Sequence, residues 1–396
     1  MNRERRKTMK NIRFAALLLT VMLLWGCAFQ PRDPLPEATP ETTTTQATTE
    51  ATTQPVIETT EPPQPILYTI SFAGDCTLGT DELLYGQSFT FVKVVGDQYD
   101  YPFQNVLPYF AEDDLTLVNF EGTLTEHRTP REKKFRFRGP VEYAKILTAG
   151  DIEMVNLSNN HSYDYGEGGY ESTLDALQKE GVAYVEDEST ALYTTDTGLI
   201  VGVYAEQFSV NMDKMKKAVA QLRQDGAEIV IVSYHGGTEG SYKLTNLQKD
   251  FAHACIDAGA DIFFGHHPHV LQAIEEYNGG VIYYSLGNFS FGGNRNPGDK
   301  DTAILQQEIV REIDGTVHLG QTKIIPCCLS STTKKNTYQP TPYEEGTAAY
   351  ERVLQKLAGT YKSSGSKETT PTETTQPTTQ ETTEATTGAT EVTTAP

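Results

Sequence analysis

The sequence predicts an α/β fold, in which sheets are covered by helices. Three observations predict it. Short runs of apolar and β-branched residues alternate with stretches of helical spacing. A glycine follows each internal helical stretch, at Gly181, Gly226 and Gly259, as a C-terminal stop. Almost every strand-like run in the first three quarters of the folded part ends in a short polar motif. Taken in order, strands are expected at 66–73, 115–120, 152–157, 199–204, 228–234, 261–264 and 281–285, with helices at 170–180, 213–225 and 247–258. Residues 303–325 read as an antiparallel pair turning at Asp314-Gly315, and an amphipathic helix over 343–361 closes the pattern. No internal repeat is present.

Charge and composition divide the 396 residues unevenly. Residues 1–35 carry a net +5, whereas 36–65 and 368–396 each carry five Glu and no base. The ends therefore sum to −5, and −16 of the total −21 rests on 66–367. Both acidic blocks lack aromatic residues and are dominated by Thr, so they cannot bury enough apolar surface to offset chain entropy; disorder is expected for each. An acidic folded part argues against nucleic acid as a partner.

The N-terminus reads as an export signal. Arg3, Arg5, Arg6, Lys7, Lys10 and Arg13 precede an apolar run from Phe14 to Trp25 that closes on Gly26-Cys27. Cys27 after Gly26 resembles a lipobox, whose cysteine becomes lipid-modified; the alternative is an uncleaved signal anchor. The expected organisation is a signal peptide with lipobox at 1–27, a Thr/Pro-rich linker at 28–65 and the main domain at 66–330. A helical extension at 331–366 and a Thr-rich tail at 367–396 complete it. The expected location is the extracellular face of the cell membrane, reached through the lipid anchor.

The strand-end motifs carry the chemistry. They are Gly74-Asp75, Asn119-Phe120-Glu121-Gly122, Asn159-Asn160-His161-Ser162-Tyr163-Asp164, Tyr234-His235-Gly236-Gly237, Gly265-His266-His267-Pro268-His269 and Ser285-Leu286-Gly287-Asn288-Phe289. Ligands of open α/β sheets gather beyond strand C-termini, so these motifs should converge. Carboxylates and amides suit Mg²⁺ or Mn²⁺, and imidazoles widen the choice to Mn, Fe or Zn, as one ion or two.

With those motifs in that order, residues 66–330 resemble the CapA family of bacterial capsule and poly-γ-glutamate synthesis proteins, which is similar to the calcineurin-like metallophosphoesterases. The resemblance implies layered sheets flanked by helices of the metallophosphoesterase type. It also implies Asp75, Glu121, Asn160, His235, His267 and His269 as metal ligands, with Glu121 bridging two ions. His161 matches the histidine that protonates the leaving oxygen, and Asp164 would hold that imidazole in its working tautomer. One position departs from the pattern: Asp75-Cys76-Thr77 stands where the usual motif has Asp-x-His. His266 reads as structural.

Lys134, Arg136 and Arg138 alternate with Phe135 and Phe137, so a strand would place all three bases on one face, as a contact for an anionic polymer or as a solvated hairpin. Asn288 reads as a substrate contact or a loop support. Neither a GxSxG elbow nor a phosphate-binding P-loop occurs. The leading expectation is a cell-surface protein acting in synthesis or attachment of an anionic polymer, polyglutamate or a phosphorylated glycan, through a metal-dependent hydrolase-type site. The alternatives are a general extracellular metallophosphoesterase and a non-catalytic, membrane-tethered partner of polymer-synthase membrane subunits.

Overall fold

The computed structural model describes residues 63–362; the expected signal peptide with its lipobox, nearly all of the linker, and the Thr-rich tail lie outside the described residues. In chain order the strands are β1 (Ile66–Thr77), β2 (Thr80–Asp81), β3 (Leu115–Phe120), β4 (Thr123–Leu124), β5 (Phe137–Gly139), β6 (Met154–Asn156), β7 (Ala183–Val185), β8 (Ser189–Thr194) and β9 (Ile200–Gln207). They continue with β10 (Ile229–His235), β11 (Ile262–His266), β12 (Ile274–Tyr277), β13 (Gly280–Tyr283), β14 (Asn288–Phe291), β15 (Asp301–Arg311), β16 (Val317–Cys328) and β17 (Thr341–Pro342). The helices are α1 (Phe91–Val95), α2 (Leu107–Phe110), α3 (Ala144–Ala149), α4 (Gly166–Glu180), α5 (Met212–Gln224), α6 (Asn246–Asp257) and α7 (Ala348–Leu357).

Two large sheets form. The first has the order β17-β16-β15-β1-β3-β6-β7, with β14 against the end of β1; the second has the order β12-β13-β11-β10-β9-β8. Within them β1, β3 and β6 run parallel, as do β9, β10 and β11. A small sheet, β2-β5-β4, lies apart. The residue alternation explains the layering. In β10, Ile229 and Ile231 enter the core shared with Ile70, Phe72 and Leu117 of the first sheet, whereas Val230 and Val232 pack with Met215 of α5 and Phe251 of α6. In β3, Leu115 and Leu117 face that shared core, and Val118 and Phe120 face Leu147 of α3 and Leu177 of α4. The order is therefore helix, sheet, sheet, helix. Phe72 and Phe264 meet edge to face across the middle, with centroids 4.9 Å apart.

Helices α4, α5 and α6 stop where the glycines predict. Gly181, Gly226 and Gly259 adopt φ of 74°, 97° and 102°, the left-handed conformation that ends a helix without a Cβ penalty. Sequence periodicity misses β7, β8 and β12, which are short or half-exposed edge strands with little apolar signal, and also the two- to four-residue strands β2, β4, β14 and β17.

Residues 331–360 pack into the same body as the sheets. Strand β17 pairs with β16, and Val353 and Leu357 of α7 enter the shared core. Lys356 and Arg352 of α7 pair with the buried Asp301 at 2.7 and 2.6 Å. Cys76, Cys255, Cys327 and Cys328 are buried free thiols, and among the described residues no helix is long and apolar enough to cross a membrane.

One buried acid predicts a pH effect on stability. Asp113 accepts from Thr116 Oγ1 at 2.7 Å, yet burial outweighs its hydrogen bonds and pushes its carboxyl from 3.8 up to about 8. Between those values the folded chain keeps a proton that the unfolded chain has lost, so this group's contribution falls as pH rises. Asp113→Asn is expected to gain Tm relative to wild type, by a few degrees, as pH is raised from about 5 to about 8. A Tm difference that stays constant over that range would contradict the assignment.

Candidate metal centre

The parallel strands of both sheets deliver their C-terminal ends to one place. Asp75 sits near the end of β1, Glu121 just past β3, Asn160 and His161 past β6, His235 at the end of β10, and His267 and His269 past β11. Close backbone approach sets the first of these. A Cβ on Gly74 would lie 1.9 Å from the Gly287 carbonyl oxygen, and that oxygen accepts from the Asp75 N–H at 2.8 Å. The pairing of β1 with β3 shifts register between Ala73 and Asp75, which turns the Asp75 carboxylate out of the regular ladder.

The six expected ligands come together. Asp75 Oδ2 lies 3.1 Å from His269 Nδ1, too misaligned for a hydrogen bond. Glu121 Oε1 lies 3.8 Å from His269 Nε2 and 3.6 Å from His161 Nε2. His235 Nε2 is 2.9 Å from Asn160 Oδ1, and the His235 and His267 rings are 4.9 Å apart. His267 and His269 are held at φ of 94° and 57°, a backbone region that side chains other than glycine rarely enter and that costs about 1–3 kcal/mol per residue.

Charge and burial show what the cluster lacks. Glu121 is fully buried, and neither of its carboxylate oxygens has a hydrogen-bond donor. Leaving a buried carboxylate without a donor is costly, and such orphan groups call for a specific explanation. Burial pushes the Glu121 carboxyl well above its usual range, opposed by the positive charge of His269. Burial would also lower His269, but the Glu121 and Asp75 carboxylates override it and raise its pKa while no cation neutralises them. Burial lowers His235 far below its ordinary value, with the neighbouring histidines adding to it, so this ring is neutral and carries one lone pair. Asp75, Glu121 and His269 bring their ligand atoms within 4.8 Å of one another. Three buried carboxylate oxygens without donors, one on Asp75 and two on Glu121, beside imidazoles and an amide oxygen fit a divalent cation of borderline hardness.

Sequence reasoning placed the residue at the hub in a strand-end motif but gave it no role. Asn119 Nδ2 donates to Asp75 Oδ1 at 2.8 Å and lies 3.3 Å from His235 Nδ1. Its Oδ1 accepts from Asn156 at 3.0 Å and Asn159 at 3.1 Å. One amide thus orients a group from each sheet, the supporting role that outer-shell partners play around metal ligands. The available signal was a polar residue in the otherwise apolar strand Leu115–Phe120, buried throughout.

His161 has its own support. Its Nδ1 is 2.8 Å from Asp164 Oδ2, which fixes the proton on Nδ1 and leaves Nε2 facing Glu121. Asp164 also accepts from Lys133 Nζ at 2.7 Å and the Phe137 N–H at 2.6 Å. The Phe137 ring stacks on the imidazole at 4.3 Å. Burial lowers the His161 pKa, and the Asp164 carboxylate opposes that shift.

The expected basic face does not form. Strand β5 covers only Phe137–Gly139, so Lys134 and Arg136 precede it. Lys134 is exposed, Arg136 half-buried, and Arg138 is buried with its guanidinium 4.2 Å above the Tyr85 ring. Stacking against Tyr85 and Tyr165 draws Arg138 inward, which breaks the one-face arrangement. Asn288 pairs with Asp75 across β1 and β14, and its Nδ2 donates to the His269 carbonyl at 3.3 Å, so it supports the histidine loop; its Oδ1 is buried without a partner. His266 is buried, with Nε2 3.1 Å from Ser233 Oγ. Thr77 is buried, and its hydroxyl has no hydrogen-bond partner.

Comparison with known proteins gives a consistent result. A family model described as bacterial capsule synthesis protein PGA_cap matches residues 69–205 and 186–293. Capsule biosynthesis protein CapA of Bacillus anthracis is 30% identical over 274 residues, covering 61% of this chain and 64% of that protein. PGA biosynthesis protein CapA of Bacillus subtilis (strain 168) is 29% identical over 315 residues, covering 72% of this chain and 77% of that protein. The chain thus spans slightly under two thirds of the length of the first relative. Among solved structures, Haemophilus influenzae NAD nucleotidase aligns with a TM-score of 0.38 at 12% identity, over 74% of this chain and 56% of that one, a distant likeness.

Proposed function

The chain belongs to the bacterial capsule synthesis protein family PGA_cap, and from that premise we propose that it acts at the cell surface in making or attaching an anionic polymer of the polyglutamate type, through a divalent-metal centre of hydrolase type. The observation that carries the metal reading is Glu121, whose two carboxylate oxygens are buried without donors among His161, His269 and Asp75. The relatives named for capsule and PGA biosynthesis support the polymer class. The basic, apolar N-terminus ending at Cys27 supports export and a lipid anchor.

Asp75, Glu121 and His269 would hold one cation, and Glu121, Asn160, His235 and His267 a second. Bound there, a divalent cation would supply positive charge to polarise a scissile ester or acyl group. The protein's own contribution is positional. Asn119 fixes Asp75, Asn159 anchors the His161 backbone through a 3.0 Å hydrogen bond, and Asp164 keeps the proton on Nδ1. His161 Nε2 is therefore the atom placed to exchange a proton with a leaving oxygen. Phe137 covers one face of that ring and limits its exposure to water.

The test is metal analysis of the purified chain together with Mn²⁺-dependent hydrolysis of phosphomonoesters, phosphodiesters and poly-γ-glutamate. Bound metal and metal-dependent cleavage of one of these are expected. Binding of poly-γ-glutamate with no cleavage of any substrate would move the role to a non-catalytic partner of the polymer-making machinery.

A further inference from the structure

A carboxylate outside the set described above faces the same histidines. Glu239 lies on the loop between β10 and α6, and its ligand atom is within 4.8 Å of those of His267 and His269. The loop is latched to the histidine loop at several points. The Gly240 N–H donates to the Pro268 carbonyl at 2.8 Å, and the Gly236 N–H to the His266 carbonyl at 3.1 Å. Gln272 Nε2 donates to the Ser241 carbonyl at 2.9 Å, and Gln248 of α6 donates to Gln272 at 2.9 Å. Glu239 is thus carried on backbone fixed to the residues it faces.

The histidine side points to a ligand independently. His267 is only 7% exposed, its Nδ1 has no hydrogen-bond partner, and its backbone sits at φ 94°. The Phe208 ring packs edge-on against it at 5.0 Å, which fixes the imidazole plane. The negative charge of Glu239 acts on His267, His269 and Glu121. Thr77 occupies the position where the family resemblance leads one to expect an imidazole, so the centre is one strong ligand short.

We propose that Glu239 is a metal ligand of this chain, forming with His267 and His269 an outer cation position at the mouth of the centre. The proposal rests on the metal reading given above. Two imidazoles and one carboxylate suit Zn²⁺, Fe²⁺ or Mn²⁺ better than Mg²⁺. His269 belongs to both this trio and the Asp75–Glu121 trio, and a neutral imidazole has one free lone pair. The two positions therefore share His269 and are not filled independently. Because Glu239 is exposed while Asp75 and Glu121 are buried, a cation arriving from solvent meets the outer trio first.

The test titrates the metal-free full chain with Mn²⁺ by calorimetry and follows the Mn²⁺ electron paramagnetic resonance signal, for wild type, Glu239→Gln and Glu121→Gln. Glu239→Gln is expected to weaken Mn²⁺ binding by about 10-fold or more, at least the cost of losing an outer-shell partner, and to alter the resonance line shape. Wild-type Mn²⁺ affinity and line shape in both Glu239→Gln and Glu239→Ala, with binding lost in Glu121→Gln, would overturn this assignment while leaving the inner centre standing. No Mn²⁺ binding by the wild type would overturn both.

Discussion

Glu121→Gln is expected to abolish tight divalent-metal binding without destabilising the metal-free chain. The substitution keeps the shape of the side chain, removes the charge and replaces one acceptor oxygen with an NH2 donor. Around a packed carboxylate that exchange would break hydrogen bonds and cost stability. Around Glu121 no donor exists to lose, and burial already disfavours the charged form. Metal affinity should fall by about 100-fold or more, because the residue lies between Asp75, His161 and His269 and is the ligand that both proposed inner positions would share. Thermal melts separate the two effects. Saturating Mn²⁺ at about 100 times its Kd contributes about 2.7 kcal/mol to a protein that binds it only when folded. Wild type should therefore gain several degrees of Tm on adding Mn²⁺, whereas Glu121→Gln should gain none and should melt, metal-free, no lower than wild type. A metal-free Glu121→Gln that melts far below wild type would mean that Glu121 is a structural carboxylate.

His161→Ala should separate chemistry from metal binding. Its Nε2 faces Glu121, while its Nδ1 is committed to Asp164, so the ring is placed as a proton donor and acceptor rather than as a ligand. Loss of a positioned general acid costs about 10²–10⁴-fold in rate. The expected result is that fall in kcat for whichever ester or amide bond the chain cleaves, with Mn²⁺ affinity within about threefold of wild type. Asp164→Asn should be milder and should differ in kind. The Asp164 carboxylate raises the His161 pKa against burial, so its removal lowers that pKa further. The limb of the pH–rate profile that reports His161 should move to lower pH. An Asp164→Asn profile superimposable on wild type would show that Asp164 only packs the loop.

Much of this cluster was legible in the sequence, because its members are rare polar residues at the ends of apolar strands. Asp75, Glu121, Asn160, His235, His267 and His269 each stand out against their own segment, and the parallel arrangement of the strands brings them together. The residues to which sequence reasoning gave no role act across segments. Asn119 matters because it touches Asp75, Asn156, Asn159 and His235 at once, and no linear pattern encodes that contact set. Glu239 is an exposed carboxylate in a polar loop, unmarked until the latch to Pro268 places it beside two imidazoles. The basic stretch failed for the opposite reason. Alternation alone suggested one face, but Tyr85 and Tyr165, distant in the chain, stack against Arg138 and pull it inward. Tertiary packing overrode the local period.

The most direct test of the account is anomalous diffraction from crystals of the chain grown or soaked with Mn²⁺. The account predicts a strong anomalous peak bounded by Asp75, Glu121 and His269, a second between Glu121, Asn160, His235 and His267 where both positions fill, and neither in Glu121→Gln. Peaks confined to exposed carboxylates elsewhere, with none among these residues at saturating Mn²⁺, would contradict it.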